Sequence, residues 1–545
     1  MRLRLRAGTF GLDALAAFLV AATPVLVFTR HNGYGVLELE TVVMLAWCLP
    51  AALAAAGLAR LAGTWGRCGA MAVLLVLLVD VQTDWITTVG LRLLLTVLGA
   101  AVLVTLFRRR LSAVLVAMFG AMVLATSVLP AGAVIRTRGV GDADAACRPD
   151  LPPIVHVVLD GHIGPAGIPA EFDPDGRVAA QVTQGLLGHG CQVWSRAYSR
   201  YWGTYESLSN AFNFSHEVRQ SAWFAATFRQ GATLEANAWF TRLRDQGYVF
   251  HVVEPTFIDV LPDTLALRPG STVTTYDPTS PRAIAMAGLA PGERLRQAGG
   301  AYTELSFFLR EGRRAYGRLR TSGAGRALHL PDWDRFASSG STLASLAAWP
   351  TFLESLAAAR PGEFHYVHLL LPHGPYALDR EGRVRPRPRD WRDESAHVDR
   401  LHRNNVSTRA EAYPDYLDQV VATQRLLDGM FATLERSGQA DRTLVILHGD
   451  HGSRLGVNIP RAGEAGKLSR DDYLDGFSTL FAVRLPGEPA AEHPEPWPLD
   501  YLLTRLLSPE RAGDPPPAPE VNLMQRHYRK DGLMETVPMP SLDRP

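Results

Sequence analysis

Apolar residues are concentrated in the first quarter of this 545-residue chain, although the mean hydropathy of the whole chain is close to zero. Several apolar segments there each approach the roughly 20 residues that a helix needs to cross a bilayer. These segments are Leu12–Phe28, Val42–Leu61, Met71–Val89, Leu91–Phe107 and Ala113–Val134. Residues 1–135 are therefore predicted to form a transmembrane anchor of about five helices.

Arginines cluster before the first apolar segment, after the second and after the fourth. The clusters are Arg2, Arg4 and Arg6, then Arg60 and Arg67, then Arg108, Arg109 and Arg110. The positive-inside rule places all three clusters in the cytoplasm, so an odd number of spans leaves Ile135 onward outside. The expected location is a bacterial-type cytoplasmic membrane, with a multi-pass anchor, the N-terminus inside and the larger domain outside.

Two pairs of residues leave alternatives open. Asp80 and Asp84 lie in or near the third apolar segment, where a carboxylate is either functional or placed at the membrane interface. Cys147 and Cys191 belong to the part expected outside, where an oxidising compartment favours a disulfide. The alternative for these cysteines is a buried free thiol.

Residues 136–153 are rich in Pro, Gly and charge and are predicted to be a linker. The next part, residues 154–510, alternates β-type runs with amphipathic helical segments, and residues 511–545 form a Pro-rich tail expected to wrap an edge or be disordered. The strand candidates are Ile154–Leu159, Tyr248–Val253, Phe364–Leu371, Thr443–Leu447 and Leu480–Leu485, and the helix candidates include Leu234–Gln246, Leu343–Arg360 and Tyr413–Ser437. This alternation predicts an α/β domain with a largely parallel sheet flanked by helices.

Two charged segments are predicted to be surface insertions. Arg310–Arg326 is basic and punctuated by glycine, and Asp379–Asn405 is dense in Arg, Asp and His. Such segments are usually solvated faces or loops. Because Asp379–Asn405 follows a candidate site motif, the alternative for it is a lid or a contact for anionic headgroups.

Two strand candidates end in residue types that bind metals. Asp160 follows Ile154–Leu159, and the sequence His-Gly-Asp450-His451-Gly follows Thr443–Leu447. Ligands collect at the carboxyl ends of strands in open α/β sheets, and the glycines let the chain leave the strand so that adjacent residues need not point to opposite faces. Each motif alone is equally compatible with an ordinary turn. Together they predict one metal site that acts on an anionic substrate.

Thr204 follows Gly203 and opens a helical run, Tyr205–Phe212. A hydroxyl at that position lies where backbone N–H groups and the helix dipole favour negative charge. A plain capping role explains the residue equally well. Beside a metal ion, the hydroxyl would instead be an activated nucleophile.

Histidines mark a further strand candidate, Phe364–Leu371. His373 follows it in a rigid loop between two prolines, at the sheet edge expected for the other ligands. His365 and His368 fall on opposite faces of the strand. One of these two is expected to be a hydrogen-bonded core residue rather than a ligand.

The order of these motifs resembles the sulfatase/alkaline-phosphatase superfamily. The motifs are Val157-Val-Leu-Asp160, Thr204-x-x-Ser207, Pro372-His-Gly-Pro-Tyr376 and Gly449-Asp-His-Gly452. The chain is most similar to the membrane-anchored branch, which contains phosphoethanolamine transferases and lipoteichoic-acid-synthase-like phosphoglycerol transferases. Members of that branch carry five membrane spans before an extracytoplasmic catalytic domain, which implies an alkaline-phosphatase-like domain here over residues 154–510.

The resemblance also implies roles for individual residues. Asp160, Thr204, Asp450 and His451 would bind a divalent metal ion, zinc or manganese. Thr204 would be the nucleophile that accepts a phospho-headgroup as phosphothreonine, and His373 would contact the phosphoryl oxygens or the leaving group.

The chain departs from the family pattern in three places. Asp160 is followed by Gly161, where the transferases usually have Glu as the first ligand and sulfatases usually have two adjacent acids. The Cys-x-Pro-x-Arg motif, from which sulfatases make formylglycine, does not occur in the sequence, and this argues against sulfate-ester hydrolysis. His448 stands where many relatives have a small hydroxyl residue, so it is either an extra ligand or a support for one.

The function expected from these features is the metal-dependent transfer of a phosphoethanolamine- or phosphoglycerol-type headgroup from a membrane lipid donor to a glycan, a lipid or water. A phosphodiesterase or sulfuric-ester-type hydrolase of the same fold is one alternative, and a catalytically inactive membrane scaffold is another. The formal net charge of +1 argues against a nucleic-acid partner. The oligomeric state is left open.

Overall fold

The computed structural model describes residues 7–61, 63–82, 110–141, 148–224, 232–330, 340–392, 406–511, 513–526 and 531–542, with isolated positions between 91 and 105. The chain divides into two compact units. The helical unit comprises Met1–Val134, Ser280–Ser338 and Pro386–Arg389. The α/β unit comprises Ile135–Thr279, Ser339–Arg385 and Asp390–Pro545.

Among its described residues, the helical unit contains four long N-terminal helices and a group of shorter helices from the middle of the chain. The long helices are α1 (Ala7–His31), α2 (Leu39–Leu61), α3 (Gly63–Gln82) and α4 (Leu111–Val128). The shorter helices are α8 (Pro281–Met286), α9 (Pro291–Glu304), α10 (Phe307–Thr321) and α11 (Gly323–Ala327).

Among the described residues, three stretches are long and apolar enough to cross a membrane: Phe10–His31, Leu39–Gly57 and Leu111–Val128. The prediction of about five spans is therefore supported for three of them. Much of the predicted span Leu91–Phe107 and the end of Met71–Val89 lie outside the described residues.

Asp80, at the end of α3, is buried and binds the start of α10. The Ser306 hydroxyl donates to its Oδ2 at 2.6 Å, and the backbone N–H of Phe308 donates to the same oxygen at 3.3 Å. Ser306 also caps α10 by accepting from the N–H of Leu309 at 3.1 Å. Asp80 therefore has a structural role in joining α3 to α10, and Asp84 lies outside the described residues.

The α/β unit contains the remaining elements. Its helices are α5 (Arg177–Gly188), α6 (Thr204–Phe212), α7 (Ala238–Gln246), α12 (Ser341–Ala357), α13 (Val406–Arg436), α14 (Arg470–Phe477) and α15 (Leu499–Leu507). Its longer strands are β1 (Ile135–Val140), β2 (Ile154–Leu159), β5 (Val249–Pro255), β7 (Ser271–Tyr276), β8 (Glu363–Leu369), β9 (Leu444–Gly449), β10 (Phe481–Arg484), β12 (Glu520–Leu523) and β13 (Glu535–Pro538). The short strands are β3 (Gln192–Trp194), β4 (Ala232–Thr233), β6 (Ile258–Asp259) and β11 (Ala491–His493).

The main sheet has nine strands in the order β1-β7-β5-β8-β2-β9-β10-β3-β11. The run from β7 to β9 is parallel throughout, whereas β1, β10 and β3 pair antiparallel to neighbours. All five predicted strands occur in this sheet, and the α/β architecture with a mostly parallel sheet is confirmed.

The central strands are buried on both faces, as expected for parallel strands covered by helices. Ile154 and Val158 of β2 point into one core, which also contains Phe212 of α6 and Phe240 of α7. Every residue of β2 and of β8 is buried.

Helix α7 shows how residues at its two ends set its limits. Asn237 caps its start by accepting from the N–H of Phe240 at 3.0 Å, and Gly247, with φ of +102°, ends it.

Three segments differ from the sequence interpretation. Part of the predicted linker is β1, an edge strand whose Ile135 pairs with Tyr276 of β7. Arg310–Arg326, expected to be a surface insertion, belongs to helices α10 and α11 of the helical unit. The C-terminal tail contains the β12–β13 pair and is ordered there, because Val521 and Leu523 are buried in an apolar cluster.

Candidate active site

Three adjacent parallel strands bring the predicted ligands to one edge of the sheet. In the register of the sheet, Leu159 at the end of β2 pairs with Leu369 of β8 and with Gly449 of β9. Asp160 and Asp450 each follow these positions directly, so their carboxylates leave the sheet side by side. The carboxyl end of the sheet therefore forms the site, as the strand pattern predicts.

His451 lies between the two carboxylates. Its Nε2 is 3.3 Å from Asp160 Oδ1 and 3.3 Å from Asp450 Oδ2. All three side chains are buried. The structure thus brings together three of the four residues predicted to bind metal, and the fourth, Thr204, places its Oγ1 3.4 Å from the same Nε2.

The tautomer of His451 follows from its other nitrogen. Nδ1 is 2.8 Å from the carbonyl oxygen of Gly452, so Nδ1 carries the proton and donates it. In the neutral ring, Nε2 then presents a lone pair toward two carboxylates. Neither Asp160 Oδ1 nor Asp450 Oδ2 receives a hydrogen bond. A buried group of electron-pair donors facing one another is unfavourable unless a cation lies among them.

The other oxygen of Asp450 is held by backbone donors. Oδ1 accepts from the N–H of Gly161 at 2.9 Å and from the N–H of His451 at 2.9 Å. Gly161 adopts φ of +71°, a conformation that favours glycine. These two bonds orient Asp450 so that Oδ2 faces His451.

His368 is a further member of the site. The sequence left open whether His365 or His368 is the core residue. His368 is fully buried, with Nε2 3.9 Å from Asp160 Oδ2, and neither ring nitrogen has a hydrogen-bond partner. Asp160, His368 and Asp450 offer ligand atoms within 4.8 Å of one another. Its place at the end of β8, two residues beyond the core residue Tyr366 on the same face, was the available sequence signal.

His365 lies on the opposite face of β8, as predicted. Its Nδ1 is 3.2 Å from the Ser355 hydroxyl of α12, and its Nε2 is 3.5 Å from Glu363 Oε2. His365 is therefore a core residue with polar partners, and His368 is the histidine that joins the site.

Thr204 is the first residue of α6 and is largely buried. Its helix is fixed to the loop that carries Asp450 through Ser207, whose hydroxyl donates to the backbone oxygen of Asp450 and lies 2.9 Å from the Ser199 hydroxyl. Gly203, the residue before the helix, has no side chain to cap it. The hydroxyl of Thr204 therefore lies at a helix N-terminus, next to His451, where negative charge is favoured.

His373 lies at the same edge of the sheet. Its backbone N–H donates to the backbone oxygen of Asp160 at 3.0 Å, and its Nδ1 donates to the backbone oxygen of Gly374 at 2.9 Å. Its ring centre is 6.4 Å from that of His451. Gln419 of α13, a residue that the sequence did not single out, donates to the backbone oxygens of Pro372 and His373 at 3.1 and 2.9 Å. The Gln419 side chain thus holds the backbone of the loop that carries His373.

His448 does not face the carboxylates. Its Nδ1 donates to the Gly449 oxygen at 2.8 Å, and its Nε2 is 2.8 Å from Nε2 of His156. This pairing makes His156 the donor and leaves His448 as acceptor. His448 therefore packs beneath the site rather than among its ligand atoms.

Charge and burial act on the site in opposite directions. Burial by itself would raise the pKa of Asp160, but the imidazoles of His373, His451 and His368 outweigh it and hold this pKa below its ordinary value. Burial lowers the pKa of His368, despite the two nearby carboxylates, and keeps this ring neutral. The carboxyl groups of Asp160 and Asp450 and the imidazoles of His368 and His451 thus form one buried set of donor groups.

The donor set fits a divalent metal ion. Carboxylate oxygens and imidazole nitrogens are ligands that zinc and manganese accept in proteins. Asp160, Asp450, His451 and Thr204 would hold the ion, with His368 adjoining them. A metal bound there would stabilise negative charge on a phosphoryl or sulfuryl group.

The described cysteines do not add to the site. Cys191 is buried and is a free thiol, and Cys147, its predicted disulfide partner, lies outside the described residues. Burial raises the pKa of the Cys191 thiol to about 12, so it remains protonated and unreactive.

Comparison with known proteins finds a family resemblance that covers part of this site. A family model described as Sulfatase matches residues 317–495, which include His368, His373, Asp450 and His451. No curated protein shows a significant sequence match to the chain.

The solved structures that the chain is similar to have low sequence identity to it. The phosphonate monoester hydrolase of Agrobacterium radiobacter is 14% identical, with 67% of this chain and 74% of that chain covered and a TM-score of 0.38. The putative sulfatase yidJ from Bacteroides fragilis is 13% identical, with 67% and 75% covered and a TM-score of 0.37. The C-terminal periplasmic domain of EcEptC from Escherichia coli is 10% identical, with 74% and 96% covered and a TM-score of 0.37.

Because these identities and TM-scores are low, the assignment depends on the family model and its agreement with the predicted motifs. The Sulfatase match confirms the predicted resemblance to the sulfatase/alkaline-phosphatase superfamily over residues 317–495.

Proposed function

We propose that this sulfatase-like enzyme is a metal-dependent, membrane-anchored transferase that moves a phospho-headgroup, of the phosphoethanolamine or phosphoglycerol type, through a covalent phosphothreonine on Thr204. The observation that carries the proposal is the 3.4 Å approach of Thr204 Oγ1 to His451 Nε2, which itself lies 3.3 Å from Asp160 and from Asp450. A capping threonine requires no such neighbours.

In the first step, Thr204 Oγ attacks phosphorus, an O–P bond forms, and the P–O bond to the leaving alcohol breaks. The alcohol, diacylglycerol for a lipid donor, departs with the proton that Thr204 gives up. In this proposal His373 passes that proton through its Nε2, since its Nδ1 donates to the Gly374 oxygen. In the second step, the hydroxyl of a glycan or lipid acceptor, or of water, attacks phosphorus, and Thr204 regains its proton.

The surroundings of Thr204 support this chemistry. The N-terminus of α6 stabilises negative charge at its first turn. A divalent ion held by Asp160, Asp450, His451 and Thr204 would supply charge neutralisation and would lower the pKa of the hydroxyl. A membrane location with the α/β unit outside the cytoplasm, and a multi-pass anchor, belong to the same proposal and are consistent with a lipid donor.

The experiment is intact-mass analysis of the full-length protein after incubation with phospholipid vesicles. We expect an adduct on Thr204 whose added mass identifies the headgroup, and none on Thr204→Ala. Hydrolysis of sulfate or phosphate esters is the second candidate, which the Sulfatase family match favours. A headgroup-labelled phospholipid separates the two, because a hydrolase releases only free headgroup even when a glycan acceptor is present.

A further inference from the structure

Two helices of the helical unit face each other across a cavity of about 580 Å³. Helix α9 contributes Gly292, Leu295, Arg296, Gly299, Gly300 and Thr303, which recur at helical spacing along one face. Helix α10 contributes a face that contains Phe308, Gly312 and Arg313. The volume lies within the roughly 300–1,000 Å³ of sites that bind small molecules.

The cavity continues toward the apolar helices. Trp47 of α2 lines it, and the same Trp47, with Gly299 and Leu309, also lines a second cavity of about 300 Å³. The remaining wall of the second cavity is almost entirely apolar and includes Pro24 of α1 and Leu74 of α3. The two cavities, called here the helical-unit cleft, therefore extend between helices long and apolar enough to cross a membrane.

Charge in this region is strongly positive. Residues 291–330 contain eight arginines and three glutamates, a net charge of +5 with histidine neutral. The two arginines that line the cleft, Arg296 and Arg313, pair with Glu293 and Glu304. Arg294 pairs with Glu40 of α2, so the excess positive charge comes from the other arginines of α10 and α11. Helix α10 has no buried residue, and Leu319 and Leu328 are 51% and 70% exposed.

We infer that the helical-unit cleft binds one glycerophospholipid with an anionic headgroup, with its acyl chains along the apolar wall and its phosphate at the arginine-rich helix α10, beside Arg313. An apolar cavity opening among membrane helices suits an acyl chain, and a basic amphipathic helix with exposed apolar side chains is typical of a membrane surface rich in anionic lipid. This inference does not depend on the proposed function, because a catalytically inactive chain would bind the same lipid.

The first test fills the cleft. A Cβ atom on Gly312 would meet nothing within 4 Å, so Gly312→Leu extends a side chain into the open space without a backbone clash. Ala315→Leu is the matched control, since Ala315 is exposed on the same helix and does not line the cleft. The full-length protein in detergent is incubated with dioleoyl phosphatidylglycerol, and native mass spectrometry measures the fraction that keeps one lipid.

We expect wild type and Ala315→Leu to retain one phosphatidylglycerol. Gly312→Leu should retain it about tenfold less, because the added side chain occupies space that the lipid needs and so weakens binding. Equal retention by the two variants, with unchanged melting temperatures, would overturn the inference. So would equal loss in both.

The second test concerns charge. Arg313→Gln removes an arginine that lines the cleft, and Arg314→Gln removes a neighbouring one that pairs with Glu311 and does not line it. We expect Arg313→Gln alone to weaken phosphatidylglycerol binding about fivefold, the effect of one basic residue near an anionic headgroup. Phosphatidylcholine with the same chains, and glycerol 3-phosphate without chains, should both bind more weakly to wild type. Binding of either as tightly as phosphatidylglycerol would contradict recognition of an anionic lipid.

Discussion

Nε2 of His451 lies 3.3 Å from Oδ1 of Asp160, although the two residues follow different strands that are far apart in the sequence. Nδ1 of His451 donates to the Gly452 oxygen, so in the neutral ring the Nε2 lone pair faces this carboxylate. Such an arrangement is stable at full burial when a cation neutralises it. The contact is therefore the geometric basis for expecting a metal-dependent enzyme.

Removing the nucleophile should abolish turnover. For Thr204→Ala we expect headgroup transfer to fall by at least about 10³-fold, because loss of a covalent nucleophile removes the main reaction route. Thr204→Ser keeps the hydroxyl and is the control, expected to retain measurable activity. Release of labelled headgroup from phospholipid vesicles is the measurement. If Thr204→Ala kept more than about a tenth of the wild-type rate, Thr204 would not be the nucleophile.

Metal removal should destabilise the wild-type protein but not a ligand variant. Bound ligand stabilises the folded state by about 4 kcal/mol at a thousand times its Kd, so chelation with EDTA should lower the Tm of wild type. Asp450→Asn removes one carboxylate from the cluster, and its Tm should respond little to either EDTA or added zinc. The Tm is read by intrinsic fluorescence, together with metal content by elemental analysis. A wild-type protein with no metal and no response to zinc or manganese would favour the inactive scaffold.

Acid should destabilise the protein through its buried histidines. Burial lowers the pKa of His162 and of His448 to about 4 in the folded state, whereas unfolded histidine has a pKa of about 6.5. As the pH falls from about 6.5 toward 4, the unfolded chain binds protons that the folded chain does not, so stability is lost in this window, on the order of 2 kcal/mol per histidine at pH 5.

The test of this pH dependence is His162→Asn, which keeps a donor near the Ile163 oxygen that His162 Nδ1 contacts at 2.9 Å. In EDTA, the Tm of this variant should fall less between pH 7 and pH 5 than that of wild type. A fall of the same size in both proteins would show that the folded pKa of His162 is not depressed.

The turn after Asp450 and His451 should tolerate no side chain. A Cβ atom on Gly452 would lie 2.3 Å from the backbone oxygen of Asp475, so Gly452→Ala must displace the backbone. We expect a loss of about 2 kcal/mol or more of stability. Gly466→Ala, where a Cβ would meet nothing within 4 Å, is the control. Thermal unfolding of both variants is compared, and similar Tm values would mean that the turn relaxes freely.

The start of α10 should depend on its cap. Ser306→Ala removes both the bond to Asp80 and the cap of the Leu309 N–H, at a cost of about 1 kcal/mol. Amides in the first turns of α10 should then exchange with deuterium about fivefold faster. Thr321→Ala, at the exposed end of the same helix, should leave those amides unchanged. Unaltered exchange in Ser306→Ala would show that Asp80 does not hold this helix.

The pattern of apolar runs determined much of the fold. Ile154–Leu159 is a strand with the predicted bounds, and Asp160 and Asp450 follow β2 and β9, which are neighbours in the sheet. These features follow from local periodicity and from the rule that parallel strands present their carboxyl ends together. The short strands β3 and β11 escaped notice because three residues carry too little periodicity to distinguish a strand from a loop.

By itself, the sequence determined which residue types follow the buried strands, and so it named Asp160, Thr204, His373, Asp450 and His451 as candidates. Only the tertiary structure decided that His368 joins them while His448 turns to His156, because both choices depend on which face of the sheet a neighbouring strand presents. It also decided that Arg310–Arg326 packs with the apolar N-terminal helices, since this placement arises from contacts between distant segments that no local pattern encodes.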